Sequence, residues 1–150
     1  MAKSHKRSPR LKRVQYGVLP YRLDESGSLE ILLVTTRTTR QWIIPKGWPI
    51  KDLTGSETAQ QEAYEEAGIR GEITGRSVGQ FTYLKRLEDT KLSVACEVKV
   101  YPMLVKRQYK KWPERAERET DWFEPEDALV NIRLPELRRL ISRFVKRGNY

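Results

Sequence analysis

Gly47-Trp48-Pro49-Ile50-Lys51-Asp52-Leu53-Thr54-Gly55-Ser56-Glu57-Thr58-Ala59-Gln60-Gln61-Glu62-Ala63-Tyr64-Glu65-Glu66-Ala67-Gly68-Ile69 is the stretch from which the rest of the chain is read. Thr54 and Glu57 have the capping-box form, in which a hydroxyl and a carboxylate at this spacing satisfy free backbone amides at a helix start. Gly68 supplies the C-terminal stop, because glycine takes the left-handed conformation that ends helices. The pattern predicts a helix that starts at Thr54 and stops at Gly68. Within it Glu62, Glu65 and Glu66 are three and four residues apart. At about 100° per residue they share one face, with Ala63, Tyr64 and Ala67 turned away. Such like charges cost roughly 0.2–0.5 kcal/mol per neighbouring pair in an isolated helix. A hard cation offsets that cost, since magnesium prefers oxygen ligands and takes one or two carboxylates plus substrate phosphates. A solvated acidic face is the plainer alternative, and the triplet alone leaves both open.

Outward from this helix the chain reads as β structure. Val14 to Leu23 and Leu29 to Thr36 are β-branched and aliphatic runs joined by Asp24-Glu25-Ser26-Gly27-Ser28, a hairpin connection. Gln41 to Ile44 is a third short strand, ended by Pro45. Downstream, Leu92, Val94, Cys96, Val98, Val100, Pro102 and Leu104 are apolar at every second position, the period of a strand with one buried face. Val78 to Leu84 is its expected partner, and Thr120 to Phe123 a further short strand. A last helix begins near Pro135 and carries Leu137, Leu140, Ile141, Phe144 and Val145 at helical spacing, with Gly148 beyond it. This order of elements implies an α/β sandwich with a mixed β-sheet.

Composition bounds the function classes. A length of 150 residues suits one domain, and 38% hydrophobic with 33% charged residues excludes membrane and disordered classes. The net charge of +9 is unevenly placed: Lys3, Lys6, Arg7, Arg10, Lys12 and Arg13 face no acid in the first thirteen residues. The 29 basic residues less these six leave 23 against 20 acidic, so the body is only mildly basic. Residues 1–13 read as a flexible, solvated arm or as a site for RNA, the ribosome or an anionic substrate, and Arg138, Arg139, Arg143, Lys146 and Arg147 as the wet face of the last helix. Cys96 is alone, no apolar signal core follows the basic N-terminus, and no run spans a bilayer, so the expected compartment is cytoplasmic. His5 is the only histidine and lies in the arm; no cysteine cluster or serine nucleophile setting appears, which removes zinc and acyl-transfer chemistry.

Counted from Gly47 without a gap, the quoted stretch closely resembles the Nudix box: a glycine, five residues, a glutamate, seven residues, then Arg-Glu-apolar-x-Glu-Glu-x-Gly-apolar. The matches are Gly47, Glu62, Ala63, Glu65, Glu66, Gly68 and Ile69. The entry Gln41-Trp42-Ile43-Ile44-Pro45-Lys46 and the later Trp122-Phe123 extend the resemblance over most of the chain after residue 13. Two positions depart: Leu53 stands where the family has its first glutamate and Gln61 where it has arginine. Those two side chains commonly pair to brace the loop against the helix. Losing both avoids the several kcal/mol of an unpaired buried charge, so a replaced brace is expected.

The resemblance implies a single Nudix hydrolase domain over residues 14–150, with a Nudix-type α/β/α sandwich and a mixed sheet. It implies Mg²⁺, or Mn²⁺ in its stead, held by Glu62 and Glu66, by Glu65 directly or through water, and by the Gly47 carbonyl. A bound water would then attack phosphorus in a diphosphate linkage, with Glu62 the first choice of base and Glu114 and Glu117 the loop alternatives. The chain looks most like the diphosphoinositol polyphosphate and diadenosine polyphosphate hydrolases, so the expected substrate is a phosphorylated small molecule: a dinucleoside polyphosphate, a nucleoside diphosphate derivative or a diphosphoinositol polyphosphate. Arg13, Arg22, Arg37, Arg40 and Lys46 lie on or near the segments leading into the box and are the candidate phosphate contacts. Trp42, Trp48 and Trp112 are candidates to stack a base. Two other readings stay open: removal of diphosphate from RNA 5′ ends, favoured by the arm, and a non-catalytic ligand sensor, suggested by Leu53 and Gln61.

Overall fold

The structure is a computed structural model that describes residues 13–87, 91–148 and 150. Most of the basic arm, residues 1–12, and its expected RNA contacts lie outside the described residues. Arg13, counted with the arm from sequence, is the first residue of β1 (Arg13–Leu23). Strand β1 pairs antiparallel with β2 (Leu29–Thr35) and parallel with β7 (Ser93–Gln108), which makes the sheet mixed. The main strand order is β3-β2-β1-β7-β5, with β3 at Trp42–Ile43 and β5 at Ile69–Ile73. Three further strands join it: β4 (Lys46–Gly47) on β1, β6 (Gly79–Arg86) on β7, and β8 (Thr120–Phe123) on β2.

Alternation along the strands divides the core into two layers. Leu19 and Tyr21 of β1, Ile31 and Leu33 of β2, and Val98 and Val100 of β7 pack on one face with Leu137, Leu140, Ile141 and Phe144 of α3 (Pro135–Arg147). Val18, Leu32 and Met103 point the other way, onto Ala59, Ala63 and Ala67 of α1 (Gly55–Ala67). Because β1 and β2 are covered on both faces, their sequences are continuous apolar runs rather than alternating ones. The three alanines recur every fourth residue, so α1 seats its backbone close to the sheet and directs its glutamates to one side. These layers are the α/β/α sandwich expected from sequence. Among the described residues no helix is long and apolar enough to cross a membrane.

The ends of α1 follow the local signals. Glu57 N donates to Thr54 Oγ1 at 3.1 Å and Thr54 N to Glu57 Oε1 at 2.9 Å; Gly68 closes the helix at φ 66°. Three elements had no sequence expectation: β4, β5 and α2 (Pro125–Asn131). Leu92, expected at the head of the long strand, stands before β7 and is 66% exposed.

Candidate active site

Glu62 and Glu66 are one turn apart on α1, and β4 brings the backbone of Gly47 against them. Strand β4 is held there by β1, through the register pairs Tyr16↔Gly47 and Gly17↔Lys46. A Cβ on Gly47 would run into the Glu62 carboxyl group, so only glycine lets the strand and the acid approach this closely. Glu66 is buried, and its Oε1 accepts from Lys46 N at 3.4 Å. Burial pushes the Glu66 carboxyl up to about 8 against the opposing charges of Arg118 and Lys46. Burial also pushes Glu62 up to about 7, reinforced by the neighbouring Glu65 charge and opposed by a hydrogen bond with Glu66. The Lys46 ammonium is moved the other way, down to about 8, again chiefly by burial.

Arg118 joins this group from the loop before β8. Its side chain is 10% exposed; Nη2 lies 3.6 Å from Glu66 Oε2, Nε donates to Glu114 Oε1 at 2.7 Å, and Nη1 donates to the Thr35 carbonyl at 3.1 Å. The loop is fixed by the end of α1: Tyr109 N donates to Gly68 O, Trp112 Nε1 to Glu66 O and Glu114 N to Glu65 O. Arg118 carries no sequence signal beyond its charge, and nothing local in the sequence separates it from the exposed Arg115.

The brace expected between the loop after Gly47 and α1 takes another form. Leu53 is 39% exposed and Gln61 Nε2 donates to Glu65 Oε2 at 2.7 Å. The loop is tied instead by Ile50 N, which donates to the hydroxyl of the fully buried Thr58 at 3.3 Å, and by the capping box itself.

A cleft of about 460 Å³ opens over these groups, lined by Gly47, Glu62, Glu66, Glu114, Arg118, Arg37 and Lys46 among others. It shares Lys46, Lys85 and Arg86 with a larger one of about 1210 Å³, which continues past Tyr83, Leu134 and Lys91. The carboxylates Glu62, Glu66 and Glu114 all line the smaller part, its acidic end, beside Arg37 and Arg118, whereas among the described residues the larger part is lined by Lys46, Lys85, Arg86 and Lys91 with no acid, the cationic end. Of the residues expected from sequence, Gly47, Glu62, Glu66, Glu114, Arg37 and Lys46 meet here. Glu65 stands outside the lining, engaged by Gln61. Glu117 also stands outside, 3.1 Å from Arg37 Nη1, and this hydrogen bond raises the Arg37 pKa. Arg40 is spent on Glu119 and the Glu117 carbonyl. Arg22 pairs with Glu30 at 2.7 Å and lies over Trp122 near the other end of β1; Arg13 is exposed at its start. Lys85 and Arg86 had no sequence signal beyond their charge.

Of the tryptophans, Trp42 packs edge-on against Phe123 and Trp112 covers Gly68, while Trp48 lines the cleft and is 36% exposed. Among the described residues no group of three or more Asp, Glu, His or Cys side chains converges on one metal position. The donor set is the smaller one of two carboxylates beside a backbone strand. That set suits a hard divalent ion that completes its shell with water and phosphate oxygens.

Comparison with known proteins agrees with this geometry. Residues 12–144 match the family model described as NUDIX domain. The chain is 30% identical over 149 residues to Nudix hydrolase 12, mitochondrial, of Arabidopsis thaliana, covering 89% of this chain and 73% of that protein. It is 33% identical over 103 residues to diphosphoinositol polyphosphate phosphohydrolase 2 of Rattus norvegicus, covering 67% of this chain and 52% of that one. A crystal structure of a C. elegans Ap4A hydrolase binary complex superposes with a TM-score of 0.67 at 21% identity, over 89% of this chain and 96% of the other, which speaks for the fold. Motif, fold and relatives agree, and the chain belongs to the Nudix hydrolase family.

Proposed function

We propose that this protein is a magnesium-dependent hydrolase that cuts a diphosphate linkage in an anionic small molecule: a dinucleoside polyphosphate, a nucleoside diphosphate derivative or a diphosphoinositol polyphosphate. The observation that carries the reading is the pair of buried Glu66 and half-buried Glu62 against Gly47, at the acidic end of a cleft whose continuation is cationic. Two carboxylates held together with raised pKa values are a poor arrangement without a cation and a good one with it.

Bound at Glu62, Glu66 and the Gly47 carbonyl, a divalent ion would neutralise phosphate charge and make a water more acidic. The protein's own groups do the rest. Arg118 holds Glu66 and Glu114 in one orientation, Lys46 with Arg37 grips the phosphates on either side of the scissile bond, and Lys85 takes phosphates beyond them. The attacking oxygen forms a bond to phosphorus while the bridging phosphorus–oxygen bond breaks, and its proton passes to Glu62, the first choice of base, or to Glu114. Trp48, open at the cleft wall, offers a face for a base or ring. The proposed compartment is the cytoplasm, although relatives named mitochondrial or chloroplastic make localisation of the tagged protein a direct check.

A panel of these three substrate classes, assayed for released phosphate products with magnesium, with manganese and with chelator, tests the reading. Turnover that requires the metal and falls about a hundredfold or more in Glu62→Gln and Glu66→Gln is the expected result. Binding without cleavage of every panel member would leave a sensor instead.

A further inference from the structure

A second anion-seeking surface lies outside the cleft, where the C-terminal end of α1 meets β5 and the end of β7. Arg70 and Arg107 are direct cross-strand partners, an arrangement that places like charges opposite each other. Each guanidinium is carried on a ring: Arg70 Cζ lies 4.2 Å from the Tyr64 centroid and Arg107 Cζ 4.5 Å from that of Tyr109. The two rings meet edge to face at 5.5 Å. A third pair, Arg115 over Trp112 at 5.8 Å, continues the series. The register shift at Gly71 sets the bulge beside Arg70, and any Cβ at Gly71 would strike the Leu104 backbone. Lys110 and Lys111 are exposed and follow Tyr109 directly in the chain, and residues 103–113 contain no acid. Among the described residues, none of these cations has a carboxylate within ion-pair distance, whereas Arg22, Arg37, Arg40 and Arg118 all do.

We propose that Arg70 and Arg107, propped on Tyr64 and Tyr109 and flanked by Lys110 and Lys111, form a docking surface for single-stranded RNA. A guanidinium seated over a ring is a planar cation, and an unstacked base can stack on such a plane. The neighbouring lysines supply charges for the phosphates that follow along the strand. Among the described residues the large exposed apolar side chains, such as Leu84, Leu92 and Val130, lie elsewhere in the chain, which favours a nucleic acid over a lipid bilayer as the occupant. The inference is independent of diphosphate cleavage, and its test reads binding without turnover.

Fluorescence anisotropy of the full chain with a labelled single-stranded RNA of about ten nucleotides, across a salt series, measures it. Replacing both arginines, Arg70→Ala with Arg107→Ala, should weaken binding about tenfold or more and reduce the slope of log affinity against log salt by about 1.4, the share of two phosphates. Arg70→Lys with Arg107→Lys should restore the slope yet bind several-fold more weakly than the native chain, because lysine keeps the charge and loses the plane. Alanine replacements of Lys3, Lys6, Arg7 and Arg10, measured alongside, separate the arm's contribution. Equal RNA affinity in the native chain and the double alanine variant overturns the proposal. So does binding to anionic phospholipid vesicles with none to RNA, or a double lysine variant that binds as tightly as the native chain.

Discussion

Glu66 pays a desolvation cost that a bound cation would relieve, and that cost has a pH signature. Its folded-state pKa is raised from 4.5 to about 8, so the carboxyl is more easily kept neutral in the folded chain than in the unfolded one. A group raised in this way contributes stability that is fully present below 4.5 and is lost as pH rises through about 8. Glu62 acts in the same direction over a narrower window, up to about 7. Lys46, depressed to about 8, titrates in the opposite sense above that pH. Without divalent ions the melting temperature should therefore fall between about pH 5 and 8, and Glu66→Gln should flatten the fall. Parallel melting curves for native and variant protein would remove the cause assigned here. Arg118 gives a second prediction. Removing it takes away a positive charge that holds down both Glu66 and Glu62, so these two carboxyls should rise further and the acidic limb of the pH–rate profile should move to higher pH. Arg118→Ala should lower kcat about tenfold or more, and Arg118→Lys should restore part of the charge but not the fork that holds two acids at once. An unmoved pH profile would leave Arg118 a purely structural residue.

What could be read from sequence at the level of elements was what is encoded locally. The capping box and Gly68 fix α1 within its own turns, and period-two burial at Cys96, Val98 and Val100 marks β7. In β5 only Ile69 is fully buried, and the glycine that ordinarily weakens a strand is required by the approach of Leu104. Helix α2 has seven residues and buries only Ala128, too little for a periodic signal, although Pro125 at its first turn is a start mark. The site divides along the same line. Glu62, Glu66 and Gly47 were legible because one motif carries them, whereas Arg118 reaches the cleft through contacts between its loop and the end of α1 that no local pattern encodes. Strand β4, two residues long, shows how much an element can depend on one side chain. Gly47→Ala should displace Glu62, and since a shift of about 1 Å in a reacting group can cost on the order of a hundredfold, kcat should fall by about that factor. Glu62 is only half-buried and can turn aside, so melting should change little. A large loss of melting temperature with normal kcat would contradict this account of the strand.

Across the whole molecule, the cleft brings opposite charges to opposite ends from distant parts of the chain. Glu62 and Glu66 come from the helix on one side of the sheet, and Lys85 from β6 on the far side of β7. Lys46 stands between the ends, with its ammonium 4.5 Å from the Tyr83 ring centroid and a position in both parts of the cleft. On the proposed function, such a division would separate binding from chemistry. A group at the cationic end meets phosphates that keep their charge throughout the reaction, so it should stabilise the bound substrate and the transition state equally. Removing it should then raise KM and leave kcat nearly unchanged, unlike a change at Glu62. Lys85→Ala is the direct case, since Lys85 is half-buried at the junction of the two parts and is ion-paired with none of the three carboxylates of the acidic end. For substrates with phosphates beyond the scissile diphosphate, its KM should rise about tenfold to a hundredfold, the range of one charge-assisted contact, and added salt should weaken the native protein more than the variant. For a substrate with only the scissile diphosphate the two proteins should behave alike. Steady-state kinetics on a long and a short polyphosphate at two salt concentrations decides the matter: a drop in kcat with unchanged KM would put Lys85 in the chemistry rather than at the binding end.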